Sequence, residues 1–187
     1  MIKTIRTAIV LITITGSMVS CRDSDDPVAV LKHRIENAKM MEYVDSLHGA
    51  KVLYPDFFHI DSIGEHEASF SYSDKDVKVL ILSYHTWPPR IFDTSHEAVQ
   101  ILSDSLNVCL EEKTSSFTMT GEQEKNSPIT YLEKANSTSH GWALYTLTYE
   151  KKYEDAVERL TEMIKDWKIY NDKHPKWIQD IFYFLDI

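Results

Sequence analysis

The chain has 187 residues, with 20 Lys and Arg against 29 Asp and Glu and a formal charge of −9. That length can bury a sizeable core without disulfide staples. The acidic balance repels phosphate backbones and anionic lipid headgroups, so nucleic-acid binding and electrostatic membrane adhesion are not expected.

Residues 1–20 read as a secretory signal. Lys3 and Arg6 form a short positive start, and Ala8 to Ile14 is an apolar run too short for a span of roughly 20 residues. At Cys21 the composition changes abruptly to Arg22-Asp23-Ser24-Asp25-Asp26. Met18-Val19-Ser20-Cys21 resembles the bacterial lipobox, with Met18 standing where Leu is usual. That resemblance implies diacylglyceryl transfer to the Cys21 thiolate, followed by cleavage and acylation of the freed amine. One acyl chain alone gives only reversible binding, whereas two or three hold permanently. Residues 21–27 then form an acidic linker. Its Ser and Asp residues resemble the export tag of surface lipoproteins in Bacteroidetes-type bacteria, although any short polar spacer would serve. The expected location is the bacterial outer membrane, on its periplasmic or surface-exposed face. Loss of Lys3 and Arg6 with the signal leaves 18 basic against 29 acidic residues and a formal charge of −11. Cys109 is the single cysteine besides Cys21. It is expected as a small buried hydrophobe; a Cys21–Cys109 disulfide is the alternative, which lipidation would forbid.

Asp26-Pro27 is a helix start, with Asp as N-cap and Pro at the first helical position. Val28, Leu31, Ile35, Ala38, Met41 and Val44 recur at spacings of three and four. They predict a helix over 28–48, with Gly49 as its stop. Lys51-Val52-Leu53-Tyr54 reads as a short strand ended by Pro55, and residues 56–65 read as loop. Ala68, Phe70 and Tyr72 alternate with polar residues and predict a half-buried strand. After the turn Ser73-Asp74-Lys75-Asp76, the apolar run Val77 to Tyr84 predicts its hairpin partner.

Trp87-Pro88-Pro89-Arg90 breaks the sheet. Thr94-Ser95-His96-Glu97 has the capping-box spacing and opens a second helix bearing Ala98, Val99, Leu102 and Leu106. Three strands follow, around Phe117 and Met119, around Ile129 to Leu132, and over Trp142 to Tyr149. Residues 136–141 read as the polar turn before the last of them. Tyr153, Ala156, Val157, Leu160, Ile164 and Trp167 mark a final helix, with Asp155 and Arg159 as an i,i+4 pair on its outer face. The domain covers 49–170, and 171–187 form an apolar C-terminal extension. Hairpins and meanders imply an α+β fold with a single, mainly antiparallel sheet covered by helices.

Leu53-Tyr54-Pro55-Asp56-Phe57-Phe58, the strand pair after it, and Leu147-Thr148-Tyr149-Glu150-Lys151-Lys152-Tyr153 running into a helix resemble the PsbP-like fold. The resemblance covers roughly residues 51–170. That family includes an extrinsic photosystem subunit, a nuclear transport factor and small envelope lipoproteins of the DcrB type. Its members are mostly non-enzymatic adaptors, so the resemblance implies an α/β/α sandwich and a binding role, and it transfers no active-site residues.

His59, Asp61, Glu65, His66 and Glu67 crowd into one predicted loop. Imidazole and carboxylate can hold a divalent ion, with His59, Asp61 and His66 as the candidate ligands. Their spacing matches no closed metal motif, and a solvated loop is the simpler reading, so no metal or other cofactor is expected. Ser139-His140 is explained by turn chemistry, without a nucleophile elbow. Glu111-Glu112 should follow a helix end and face water. Five glycines leave no phosphate loop. Trp87, Pro88, Pro89, Arg90 and Phe92 are the partner-binding candidates, since Trp and Arg are enriched in binding hot spots; the competing reading is a loop that closes one end of the core. Asp45-Ser46-Leu47, Asp61-Ser62-Ile63 and Asp104-Ser105-Leu106 resemble the O-glycosylation acceptor of exported Bacteroidetes proteins, and Ser62, in a predicted loop, is the candidate. These readings favour a lipid-anchored, non-catalytic binding or assembly module with an envelope protein as partner. The alternatives are a metal-dependent hydrolase using the His59–Glu67 loop and a carrier of a small apolar ligand.

Overall fold

The computed structural model describes residues 26–88, 109–113 and 115–170, with the backbone alone described for 109–113. The signal, Cys21, Pro89, Arg90, Phe92, the helix expected after Thr94 and the C-terminal extension lie outside these residues.

Among the described residues, nine strands make two sheets. A two-stranded hairpin pairs β1 (Met40–Asp45) with β2 (Ala50–Pro55). A seven-stranded antiparallel sheet has the order β3-β4-β5-β9-β8-β7-β6. Its strands are β3 (His59–Ile63), β4 (Ala68–Ser71), β5 (Leu80–Trp87), β6 (Cys109–Lys113), β7 (Ser116–Glu122), β8 (Ile129–Thr138) and β9 (Gly141–Glu150). Helix α1 spans Pro27–Asn37 and α2 spans Glu158–Lys165. The architecture is α+β as expected, with a separate hairpin added to the large sheet.

The Asp26 side chain caps α1 by accepting from the Val28 N–H at 3.1 Å. The helix then ends far earlier than the spacing predicts. Ala38 is extended, and Met40 to Asp45 form a strand instead of the last turns of a helix over 28–48. The three-residue spacing of Met41 and Val44 favours the helix, yet both side chains are exposed in the observed strand. Pairing with Ala50–Pro55 decides for the strand, because all six residues of β1 find antiparallel partners there. Gly49, with φ of 63°, is the left-handed residue of the hairpin turn rather than a helix stop. The Arg159 guanidinium closes the end of α1, donating to the carbonyls of Ile35, Glu36 and Ala38 at 2.6, 2.9 and 3.3 Å. Arg159 therefore faces inward to α1, not outward to Asp155.

The principal core lies between the sheet and a layer made of the β1–β2 hairpin, α1 and α2. Leu80, Leu82 and Tyr84 of β5 and Ala143, Tyr145 and Leu147 of β9 point into it, against Val52, Leu31, Ile35, Leu160 and Ile164. The register pairs Leu82 with Leu147 and Tyr84 with Tyr145, so the inward faces of both strands align. Side-chain bonds tie the hairpin down: the Tyr145 hydroxyl donates to the Leu53 carbonyl, and Trp167 Nε1 donates to the Lys51 carbonyl at 2.7 Å. A second, smaller core occupies the opposite face of the sheet and joins Phe117, Met119, Ala135, Trp142 and Leu144. Burial on both faces explains why β9 is almost continuously apolar.

Other boundaries shift for local reasons. Residues 59–63, read as loop, form the edge strand β3, exposed throughout and so lacking a buried alternation. The run from Val77 enters the sheet only at Leu80, because Asp74 Oδ1 holds the Asp76 and Val77 amides at 2.8 Å in the preceding turn. Strand β8 extends to Thr138, which leaves Ser139-His140 as a two-residue turn. Glu111 and Glu112 belong to β6 rather than to a helix end. Tyr153, Ala156 and Val157 are buried but precede the regular turns of α2.

Candidate functional site

The densest polar cluster among the described residues surrounds Asp45, at the end of β1. Asp45 is only 2% exposed. Its Oδ1 accepts the backbone N–H groups of Leu47 and His48 at 3.0 and 3.2 Å, the bonding of a tight turn that starts on an aspartate. Its Oδ2 lies 2.9 Å from His48 Nδ1, 3.1 Å from His66 Nδ1 and 2.8 Å from the Tyr84 hydroxyl. Five groups thus converge on one carboxylate.

The three side chains come from separate parts of the sequence, each for a structural reason. His48 sits in the hairpin turn, three residues after Asp45. Tyr84 projects from β5 beneath the hairpin. His66 lies in the connection from β3 to β4, which Tyr43 of β1 pins by donating to the Gly64 and Glu65 carbonyls at 3.1 and 3.2 Å. The His48 and His66 rings meet edge to face with centroids 4.9 Å apart, and the His140 ring lies 5.9 Å from His48.

Burial by itself raises the Asp45 carboxyl, but the Tyr84 hydroxyl, the His48 N–H and the His48 ring outweigh it and hold the group below its ordinary range. Burial pushes His48 down, and the nearby His66 and His140 add to this against the attraction of Asp45. Burial, reinforced by Asp45, pushes the Tyr84 hydroxyl far up. An ionised carboxylate therefore meets a neutral imidazole and a protonated phenol at neutral pH.

The structure divides the candidates that the sequence groups. His66 enters the cluster, whereas His59 and Asp61 lie on exposed β3, where Asp61 accepts from the Ser71 and Ser69 hydroxyls at 2.9 and 3.4 Å. The His59–Glu67 segment does not converge as a hydrolase would need. Asp45, His48 and Tyr84 were missed, because the first two read as parts of a helix and the third as core. The one local signal is the Asp-x-x-His spacing just before Gly49. Ser62 is exposed on the edge strand. Ser139 Oγ lies 2.9 Å from His140 Nδ1, an exposed contact within the turn.

Trp87 stands at the end of β5, opposite Trp142, followed by Pro88. It lines a groove of about 270 Å³ on the second face of the sheet, with His85, Met119, Tyr131, Glu133 and Thr146. Glu133 is 8% exposed and accepts from the Thr146 hydroxyl at 2.8 Å. Burial pushes its carboxyl up and the His85 imidazole down, so both tend toward their neutral forms. The groove can therefore offer apolar contact with one convergent carboxyl group.

No protein-family model and no curated protein matches the chain. Among solved structures it is similar to the solution structure of cyanobacterial PsbP (CyanoP) from Synechocystis sp. PCC 6803, with 14% sequence identity and a TM-score of 0.48 over 71% of this chain and 94% of that chain.

Proposed function

We propose that this chain is a lipid-anchored envelope or cell-surface protein, held at the bacterial outer membrane through Cys21, whose domain acts as a non-catalytic binding or assembly module. The observation that carries the binding reading is the groove beside Trp87. It combines Trp, Tyr and Met, residue types over-represented in interface cores, with a single buried acid able to fix orientation. The partner is an envelope protein that inserts an apolar side chain and offers a polar group to Glu133.

The anchor rests on the sequence around Cys21. No helix among the described residues is long and apolar enough to cross a membrane. In cells of a host that processes lipoproteins, the wild-type chain should incorporate labelled fatty acid and sediment with membranes. Cys21→Ala should do neither. A Cys21→Ala protein that still labels and still sediments would remove the anchor from the account.

A further inference from the structure

We propose that Asp45, His48 and His66 form a binding site for one divalent transition ion, with zinc preferred. The inference is separate from the groove and its partner. Two imidazoles and one carboxylate are a donor set that suits zinc and its borderline neighbours rather than calcium or magnesium, which favour oxygen alone.

The spacing suits an ion. In a tetrahedral zinc site with bonds of about 2.0–2.1 Å, ligand atoms stand roughly 3.3 Å apart. Here Asp45 Oδ2 lies 2.9 and 3.1 Å from the two Nδ1 atoms, and the three ligand atoms fall within 4.8 Å of one another. Both rings present the same nitrogen, Nδ1, to the same oxygen. Moving each ring proton from Nδ1 to Nε2 frees two lone pairs, and no proton need leave the site. The Nε2 of His66 lies 3.8 Å from Oε1 of the exposed Glu65 carboxylate.

The surroundings hold the ligands in place. Tyr84 donates to Oδ2, the Leu47 and His48 amides fix Oδ1, and Tyr43 clamps the backbone that carries His66. Such outer partners orient ligands and typically contribute 10–100-fold to affinity. Asp45 and His48 are buried while the His66 side chain is 31% exposed, so access is from the His66 side. Three protein ligands leave a fourth position for water.

The full chain, stripped with a chelator, would be titrated calorimetrically with Zn²⁺ alone, and with Co²⁺ as a visible-spectrum probe. The expected result is one saturable equivalent per chain, a raised thermal midpoint and a cobalt spectrum of nitrogen and oxygen coordination. His66→Ala should weaken binding at least tenfold; being partly exposed, it is the variant best placed to stay folded, as circular dichroism would check. Asp45→Asn tests the carboxylate, and His59→Ala, exposed on β3, should bind as wild type. Absence of saturable uptake by the wild type, or wild-type affinity in folded His66→Ala, would overturn the site.

Discussion

The Tyr84 hydroxyl donates to Asp45 Oδ2 at 2.8 Å, and both residues are almost fully buried. Through this bond the β1–β2 hairpin is fastened to the middle of the large sheet. Tyr84→Phe keeps the ring and removes the donor. A hydrogen bond to a charged group contributes about 1.5–3 kcal/mol, and Asp45 retains other donors, so a loss near the lower end, about 1.5 kcal/mol, is expected. Urea unfolding measures it; unchanged stability would mean that the bond is idle.

Arg159 should matter more than its place on a short helix suggests. It satisfies three carbonyls at the end of α1, where the helix dipole also favours a cation. Arg159→Ala should cost about 2–3 kcal/mol. Hydrogen exchange should report faster opening of α1 amides in this variant, and Arg159→Lys should restore only part of the protection, because an ammonium lacks the planar fork.

Gly141 is fixed by the close approach of β5. A Cβ there would meet the Trp87 carbonyl oxygen at 2.1 Å, at a φ of +134°. Gly141→Ala should destabilise by about 2–4 kcal/mol and move Trp87 out of the groove. At Gly64 the obstacle is the flexible Glu67 side chain, so Gly64→Ala should cost much less. Thermal unfolding of both variants tests the contrast.

Glu133 gives the domain a pH dependence of defined sign. Burial raises its folded pKa above the unfolded value, so the folded state keeps a proton that the unfolded chain releases. Its contribution is most favourable below the unfolded value of about 4.3, falls as pH rises through the folded value, and then levels off. His85, pushed down by burial, acts separately: its contribution is lost as pH falls from about 6.5 toward its folded value. The difference between wild type and Glu133→Gln isolates the glutamate. The two should agree near pH 4, and the variant should be the more stable at pH 7. Equal urea midpoints across pH 4–8 would show that Glu133 is not raised.

Strands β4, β5, β8 and β9 are legible because alternation or a long apolar run survives in the residues themselves. Strand β1 is not, since Met41 and Val44 continue the helical spacing of Leu31 and Ile35 and only pairing with β2 reveals the turn. Strand β3 is hidden for the opposite reason: with every residue exposed, it leaves no pattern. The cluster at Asp45 was legible only through His66. Assembling it needs the hairpin turn, the β3–β4 connection and the middle of β5 at one point, a coincidence set by strand register. Trp87 stands out in the sequence as a partner-binding candidate, but Glu133 and Thr146, which line the same groove, lie on strands read simply as core.

The most direct test of the binding reading is site-specific crosslinking in intact cells, with a photoreactive residue at Gln123 on the groove's rim. The account predicts a reproducible adduct with one envelope protein. The adduct should be lost in Trp87→Ala and in Tyr131→Ala while the folded protein accumulates normally. No reproducible adduct, or an adduct that persists in both folded variants, would contradict it.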